Sequence, residues 1–394
     1  MSQSHSAAAP EVVIAHIFPD GTSGVHTHIR ELRTYLDRCG ITTTVLTPFS
    51  WGGPLKYPAF GPRRVIMRIS RAAGVIWFQR SHVLFLHNAL RRHLASAGDC
   101  VIYAQGPLEA SAALAARRGT GQRIVMAVHF GASNADEPAN TGEIKRDGIV
   151  FRMIRRSNRA AITNVDAMVC VSEWARNAIL TWLPEAAAVP YAVIGNFIPP
   201  PDAVSGGDPV GDLVTTGRLN HEKNQRYLLE VLAEVRRAGR NLTLDIFGDG
   251  PCRADLELLA SSLGLHDQVR FHGFRTDVRE LLPGYRAYIH ASKQETSSLA
   301  IMEAMAAGLP ILAGRVGALP ELYDDGVEGR FWPLDDPAEA AATLVDFLDS
   351  EPQRAKAGCA AHERFRREFS AEVVAPRLRD FLLGRDVSAS SVTR

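Results

Sequence analysis

Two glutamates stand in an E-x7-E arrangement within SKQETSSLAIMEAMAAGLPILAGRVGALPE, residues 292–321. Glu295 falls on a polar turn, and Glu303 falls inside the apolar run LAIMEAMAA that follows it. That run reads as a helix, so Ser297, Ser298 and Leu299 offer first-turn N–H groups with no partner inside the helix. A helix N-terminus of this kind binds anions. Glu295 and Glu303 add hydroxyl acceptors on either side of it, so the stretch has the chemistry of a nucleotide-sugar site. Taken alone, such a pair could equally be a helix-dipole partner and an exposed helical acid. A second pair of charges bears on the choice. Strand LVTTG leads into Arg218-Leu219-Asn220-His221-Glu222-Lys223. Arg218 as a fork and Lys223 as a point charge can both reach a diphosphate lying on that helix terminus. In the first half of the chain, Gly21-Thr22-Ser23-Gly24 joins a strand to a helix, and the N–H groups of Gly24 and Val25 could touch a phosphate or an acceptor.

These side chains need strands that end beside one another. The N-terminal half alternates apolar runs with amphipathic ones: strands at Val12–Phe18, Thr42–Leu46, Cys100–Ala104, Arg123–His129, Ala167–Val171 and Tyr191–Ile194, with helices at Val25–Cys39 and Glu173–Leu183. Ser172 is placed to cap the latter. Residues 50–61 read as loop and 62–96 as basic, apolar helix. Residues 196–211, with four prolines and three glycines, read as a linker. Strands then recur at Leu213–Thr216, Leu242–Phe247, Val269–His272 and Ala287–His290, with helices from Glu222 and about Arg253. Gly308 should close the central helix in a left-handed conformation, and Pro310 should open the next strand, ILA. Such alternation predicts an α/β chain of two Rossmann-like domains, with ligands at the carboxyl ends of the strands. The expected divisions are 1–195, 196–370, and a C-terminal helix in 371–394 that returns to the N-terminal domain.

The EAMAAGLP and GALPE sequences around the two glutamates, and G-R-L-x-x-E-K-N at residues 217–224, resemble the family 4 retaining glycosyltransferases. The resemblance is strong from Leu213 to about Pro333 and looser before it. It implies the GT-B fold, two Rossmann-like domains facing across a cleft, and transfer of a sugar from a nucleotide diphosphate sugar with retention. On this resemblance Glu303 binds the ribose and Glu295 the donor sugar. Arg218 and Lys223 neutralise the leaving diphosphate, and His129 lies near the donor sugar. The loop holding Phe274 lines the base, and Ser172-Glu173 starts a helix. Where the family usually has E-G-F-G, this chain has Glu295-Thr296-Ser297-Ser298. GDGP at 248–251 resembles the family's tight turn and lacks the third glycine of a dinucleotide fingerprint.

The 394 residues and 46% apolar content describe a globular chain with room for two or three domains. Five scattered cysteines with no C-x-x-C pair suggest neither a zinc site nor a disulfide framework. No D-x-D occurs, so the expected enzyme uses no metal and no cofactor, and no G-x-S-x-G elbow points to a hydrolase. A GT-B epimerase, a non-catalytic nucleotide-sugar-binding module and a small-metabolite transferase are the alternative readings. No signal peptide and no apolar run of spanning length are expected, which fits the cytoplasm. Residues 1–200 carry 21 Lys+Arg against 13 Asp+Glu, the remainder 23 against 30. Within residues 38–98 there are nine cations and no acid, interleaved with Val65, Ile69, Val75, Trp77, Phe78, Leu84, Phe85 and Leu86. That pattern predicts an anionic membrane surface as a partner, alongside a saccharide or lipid-linked acceptor, with the enzyme peripheral on the inner leaflet. Nucleic acid is not an expected partner.

Overall fold

The computed structural model describes residues 10–19, 21, 23–50, 61–201 and 210–385. The loop expected at 51–60, linker residues 202–209, Asp20, Thr22, the side chain of Arg64 and both chain ends fall outside them. The chain divides into two units, Met1–Gly195 with Ala375–Arg394, and Asn196–Val374.

Unit 1 holds a six-stranded sheet of β1 (Glu11–Ala15), β2 (Thr43–Leu46), β3 (Cys100–Ala104), β4 (Gln122–Val128), β5 (Ala167–Cys170) and β6 (Tyr191–Val193), in the order β2-β1-β3-β4-β5-β6. Every pairing is parallel. Parallel strands covered by helices on both faces must be apolar throughout, and Val12, Val13, Ile14 and Ala15 are all fully buried. Strand order reverses between β1 and β3, so the crevice at their carboxyl ends is the position for a ligand. β1 stops at Ala15, short of the expected Phe18, because the Ile17 N–H turns away to the Glu109 carboxylate at 3.1 Å.

Three helices of this unit matter below: α1 (Gly24–Arg38), α2 (Arg63–Ile69) and α3 (Arg71–His93). The helical stretch expected at 62–96 is broken at Ser70. Its backbone is extended, and its hydroxyl accepts from the Ala73 N–H at 3.3 Å to cap α3. The apolar residues there divide. Val75, Phe85 and Leu86 are buried in the unit and are removed from the expected membrane face, whereas Val65, Ile69, Trp77 and Leu84 are exposed. Among the described residues no helix is long and apolar enough to cross a membrane. The last helix, Ala371–Leu382, buries Ala375, Leu378 and Leu382, and Arg379 Nη1 donates to the Tyr35 hydroxyl of α1 at 3.2 Å.

Unit 2 repeats the plan with β7 (Gly211–Thr216), β8 (Leu244–Phe247), β9 (Val269–Gly273), β10 (Tyr285–His290), β11 (Ile311–Gly314) and β12 (Gly329–Trp332), ordered β12-β11-β10-β7-β8-β9. All pairings are again parallel, and the order reverses between β7 and β10. Helix α4 (Leu299–Ala306) covers the sheet beside them. The expected linker begins later than its composition indicates. Phe197 and Ile198 are buried, and the Ile198 carbonyl accepts from the Ala371 N–H at 2.9 Å. Edge strand β12 was not separable in the sequence: it is four residues long, and half of it is only partly buried.

Candidate active site

In unit 2 the reversal of strand order places the loop after β7 next to the loop after β10. The first carries Arg218 and Lys223, the second Glu295. The expected helix start at Glu222 is displaced to Gln225. Asn224 takes a left-handed conformation, φ 52°, after a turn in which Lys223 N–H donates to Asn220 Oδ1 at 2.9 Å. The two loops are tied together by Lys293 N–H to the Glu222 carbonyl at 2.9 Å. Gln225 Nε2 donates to the Arg218 carbonyl at 3.0 Å and fixes the backbone beneath that guanidinium. Arg218 itself is exposed and forms no ion pair among the described residues.

Glu295 is buried, 7% exposed, and its Oε1 receives Lys223 Nζ at 2.5 Å and His290 Nε2 at 2.8 Å. The acceptor is a carboxylate, so His290 is the donor in that contact. Burial by itself would raise the Glu295 pKa. The hydrogen bond and charge of His290, then those of Lys223, outweigh it and hold the carboxyl at about 2. Glu295 and Lys223, expected to serve a sugar and a diphosphate separately, are therefore one ion pair. His290 lies at the end of β10, five residues before Glu295, and nothing in the sequence marked it. Gly317 was also missed. The Glu295 carbonyl accepts from the Ala318 N–H at 2.8 Å, and a Cβ at Gly317, φ 53°, would meet that carbonyl oxygen at 2.0 Å.

Helix α4 starts where the sequence placed it. Ser298 is its N-cap, accepting from the Ile301 N–H at 3.4 Å, and Gly308 closes the C-terminal side at φ 75°. The N–H groups of Ser297, Ser298 and Leu299 donate to no acceptor among the described residues. The Ser297 hydroxyl is buried without a partner. Glu303 is one turn inside, partly exposed, and accepts from Arg279 Nε at 2.9 Å. Phe274 follows β9 and is 60% exposed. A carboxylate, a buried unpartnered hydroxyl, three free N–H groups, an unpaired guanidinium and a second carboxylate therefore share one edge of unit 2. This edge can neutralise a polyanion and grip hydroxyl groups beside it. Among the described residues no group of three or more His, Cys, Asp or Glu is placed to hold a metal ion.

In unit 1, His129 follows β4 half-buried, with Nε2 at 3.0 Å from Gln105 Oε1. Burial, then the neighbouring His28 and His16, push its pKa well below the usual range, so the ring is neutral near pH 7. Two buried side chains at the same strand ends were missed: His16 after β1 and Glu109, with Nδ1 and Oε1 3.4 Å apart. Glu109 lies in the first turn of the helix Pro107–Ala116, and the fold brings its carboxylate to the Ile17 N–H just past β1. Gly24 opens α1, and Ser23, the residue before it, spends its hydroxyl on His26 Nδ1 at 2.6 Å instead of capping the helix.

Two family models match. One, described as glycosyltransferase family 4, covers residues 22–200. The other, described as glycosyl transferases group 1, covers residues 211–350 and so contains the whole of the edge just built. The chain belongs to the family 4, group 1 glycosyltransferases. Among similar family members, the alpha-D-kanosaminyltransferase of Streptomyces kanamyceticus is 33% identical over 142 residues, 35% of this chain and 36% of the relative. A GDP-mannose-dependent alpha-(1-6)-phosphatidylinositol monomannoside mannosyltransferase of Mycolicibacterium smegmatis is 30% identical over 226 residues, 52% of this chain and 58% of the relative. The chain thus spans between about a third and three-fifths of these relatives' length. Solved structures agree on the architecture. A sucrose-phosphate synthase from Thermosynechococcus elongatus superposes with TM-score 0.74 at 17% identity, over 94% of this chain and 98% of that one. WaaG, a glycosyltransferase involved in lipopolysaccharide biosynthesis, gives 0.68 at 16% identity, over 95% and 100%. The fold of this family 4 chain is GT-B, as its strand alternation and motifs implied.

Proposed function

We propose that the protein is a retaining, metal-independent glycosyltransferase that moves a sugar from a nucleoside diphosphate sugar to a hydroxyl of a saccharide or lipid-linked acceptor. The observation that carries this reading is the edge of unit 2. Among the described residues the N-terminus of α4 meets no protein acceptor and Arg218 no carboxylate partner, and Glu295 is held ionised beside them. Arg218, Lys223 and the N–H groups of Ser297, Ser298 and Leu299 take the charge that builds on the departing diphosphate. Preorganised donors of this kind act where charge develops and need no reorganisation. Glu303, aligned by Arg279, accepts from the ribose hydroxyls, and the backbone around Phe274 lines the base. Glu295 positions the sugar. The anomeric carbon loses its bond to the diphosphate oxygen and gains one to the acceptor oxygen on the same face. The acceptor proton passes to the departing diphosphate, so no side chain is required as the base.

A lipid-linked acceptor is supported by relatives whose names specify phosphatidylinositol mannosides and lipopolysaccharide. The exposed Val65, Ile69, Trp77 and Leu84, beside exposed Arg68, Arg71 and Arg80, support attachment at an anionic inner leaflet from the cytoplasmic side. The test is nucleoside diphosphate release from a panel of donor sugars, with and without acceptor and with the product's anomeric configuration read by NMR. Release that no acceptor accelerates, with any donor, would refute transfer. An inverted product would refute retention.

A further inference from the structure

The C-terminal end of α3 borders a hollow of about 330 Å³ lined by Asn88, Arg91, Arg92, Ala95 and Arg118. It lies away from the ligand crevice. Ala95 precedes β3 and Arg118 precedes β4, whereas the crevice is at the carboxyl ends of those strands. We propose that this hollow is a second anion site, which binds a phosphate group. The inference does not depend on the sugar-transfer reading.

Arginines in the last turn of a helix are ordinary complements of its dipole, and Arg91 and Arg92 alone would signify nothing more. The third arginine comes from another element. Arg118 follows the helix Pro107–Ala116, its N–H is fixed by Gln122 Oε1 at 2.7 Å, and its Nη2 reaches across to the Arg91 carbonyl at 3.5 Å. That contact answers one of the C-terminal carbonyls of α3 that would otherwise oppose an anion. Neither Arg91 nor Arg118 forms an ion pair with a carboxylate among the described residues. Neither Glu11 nor Asp99 pairs with them among the described residues. Glu11 is bound by His93 at 3.0 Å, and Asp99 packs against Gly121. Like charges gathered around a concavity repel one another and concentrate counter-ions. Guanidinium forks match phosphate oxygens in geometry, and the Asn88 amide adds a neutral donor.

The phosphate has two possible sources. Trp77, Arg80, Leu84, Asn88 and Arg91 follow one another at steps of three or four residues, so they form one stripe along α3, about 21 Å from Trp77 to Arg91. Trp77, Arg80, Leu84 and Arg91 are exposed. A lipid headgroup held in the hollow would leave that stripe on the bilayer surface, whereas a soluble phosphate would use the hollow alone.

The experiment compares the whole protein with R91Q/R118Q and with R152Q/R156Q, which removes two exposed charges elsewhere on unit 1. Inorganic phosphate is titrated by calorimetry in a chloride buffer, and vesicles of phosphatidylglycerol or phosphatidylcholine are sedimented with each protein. Phosphate affinity should fall at least tenfold in R91Q/R118Q and stay within twofold in R152Q/R156Q, with both variants melting at the wild-type temperature. Loss of phosphatidylglycerol binding confined to R91Q/R118Q assigns the phosphate to lipid. Phosphate binding lost with vesicle binding unchanged assigns it to a soluble ligand. If neither probe distinguishes the two variants, the site does not exist.

Discussion

Replacing Glu295 by Gln keeps the shape of the side chain and its capacity to bond His290 and Lys223, and removes only the charge. The folded carboxyl sits at about 2 against an ordinary glutamate value of 4.5. By linkage, that difference corresponds to about 3 kcal/mol in favour of the folded, ionised state at pH 7. The folded value is the depressed one. The stabilisation is therefore complete above about pH 4.5 and is lost as pH falls toward about 2, with about 1 kcal/mol left at pH 3. Burial makes the conversion reasonable, since Glu295 is only 7% exposed. E295Q should thus destabilise unit 2 by about 3 kcal/mol at pH 7 and by about 1 kcal/mol at pH 3. The assay is urea denaturation at both pH values, read by pulsed hydrogen exchange of peptides from β10 and α4 so that unit 2 is followed by itself. A gap of the same size at pH 7 and pH 3 would refute the reasoning, because an uncharged contact would then account for it. Lys223 adds a second check. K223M and E295Q each abolish the same charge–charge attraction, which acts across 2.5 Å in the intact protein. Their effects on unit 2 stability should therefore combine to clearly less than their sum.

Arg218→Ala should cost roughly 10²–10³ in kcat. It should leave stability within about 0.5 kcal/mol, because the side chain is exposed and in no ion pair among the described residues; a loss of turnover below threefold would count against the phosphate clamp. Glu303→Ala should weaken binding of the bare nucleoside diphosphate, measured by calorimetry, while E295Q leaves it nearly intact. Equal loss in both would mean the ribose and sugar roles are wrongly divided. Gly317→Ala should displace the Glu295 loop, since its Cβ would lie 2.0 Å from the Glu295 carbonyl oxygen. The variant should lose activity and unit 2 stability together, and a fully active variant would exclude that clash. Sugar transfer should persist in EDTA, and complete loss restored by magnesium would overturn metal independence.

Much of this architecture was legible in the chain because its determinants are local. Val12–Ala15 and Val125–Val128 announce two-faced burial by being apolar at consecutive positions. Ser172 announces a helix start by its hydroxyl and caps as read, and Ser298, which the sequence placed only on the turn, caps α4 in the same way. The E-x7-E spacing put Glu295 on the loop and Glu303 one turn inside α4. Other features were decided by tertiary structure alone. Which apolar residues of 62–96 face the core depends on the break at Ser70 and the rotation of α3, and Phe85 and Trp77 have similar sequence surroundings but opposite exposure. The union of Lys223, His290 and Glu295 joins residues 72 positions apart, and His16 meets Glu109 across 93. Neither pairing has a periodicity to betray it, because the parallel sheet brings together strand ends that the chain separates by whole helices. Sequence set which side chains could do this chemistry, and the strand order at the two reversal points decided which of them meet.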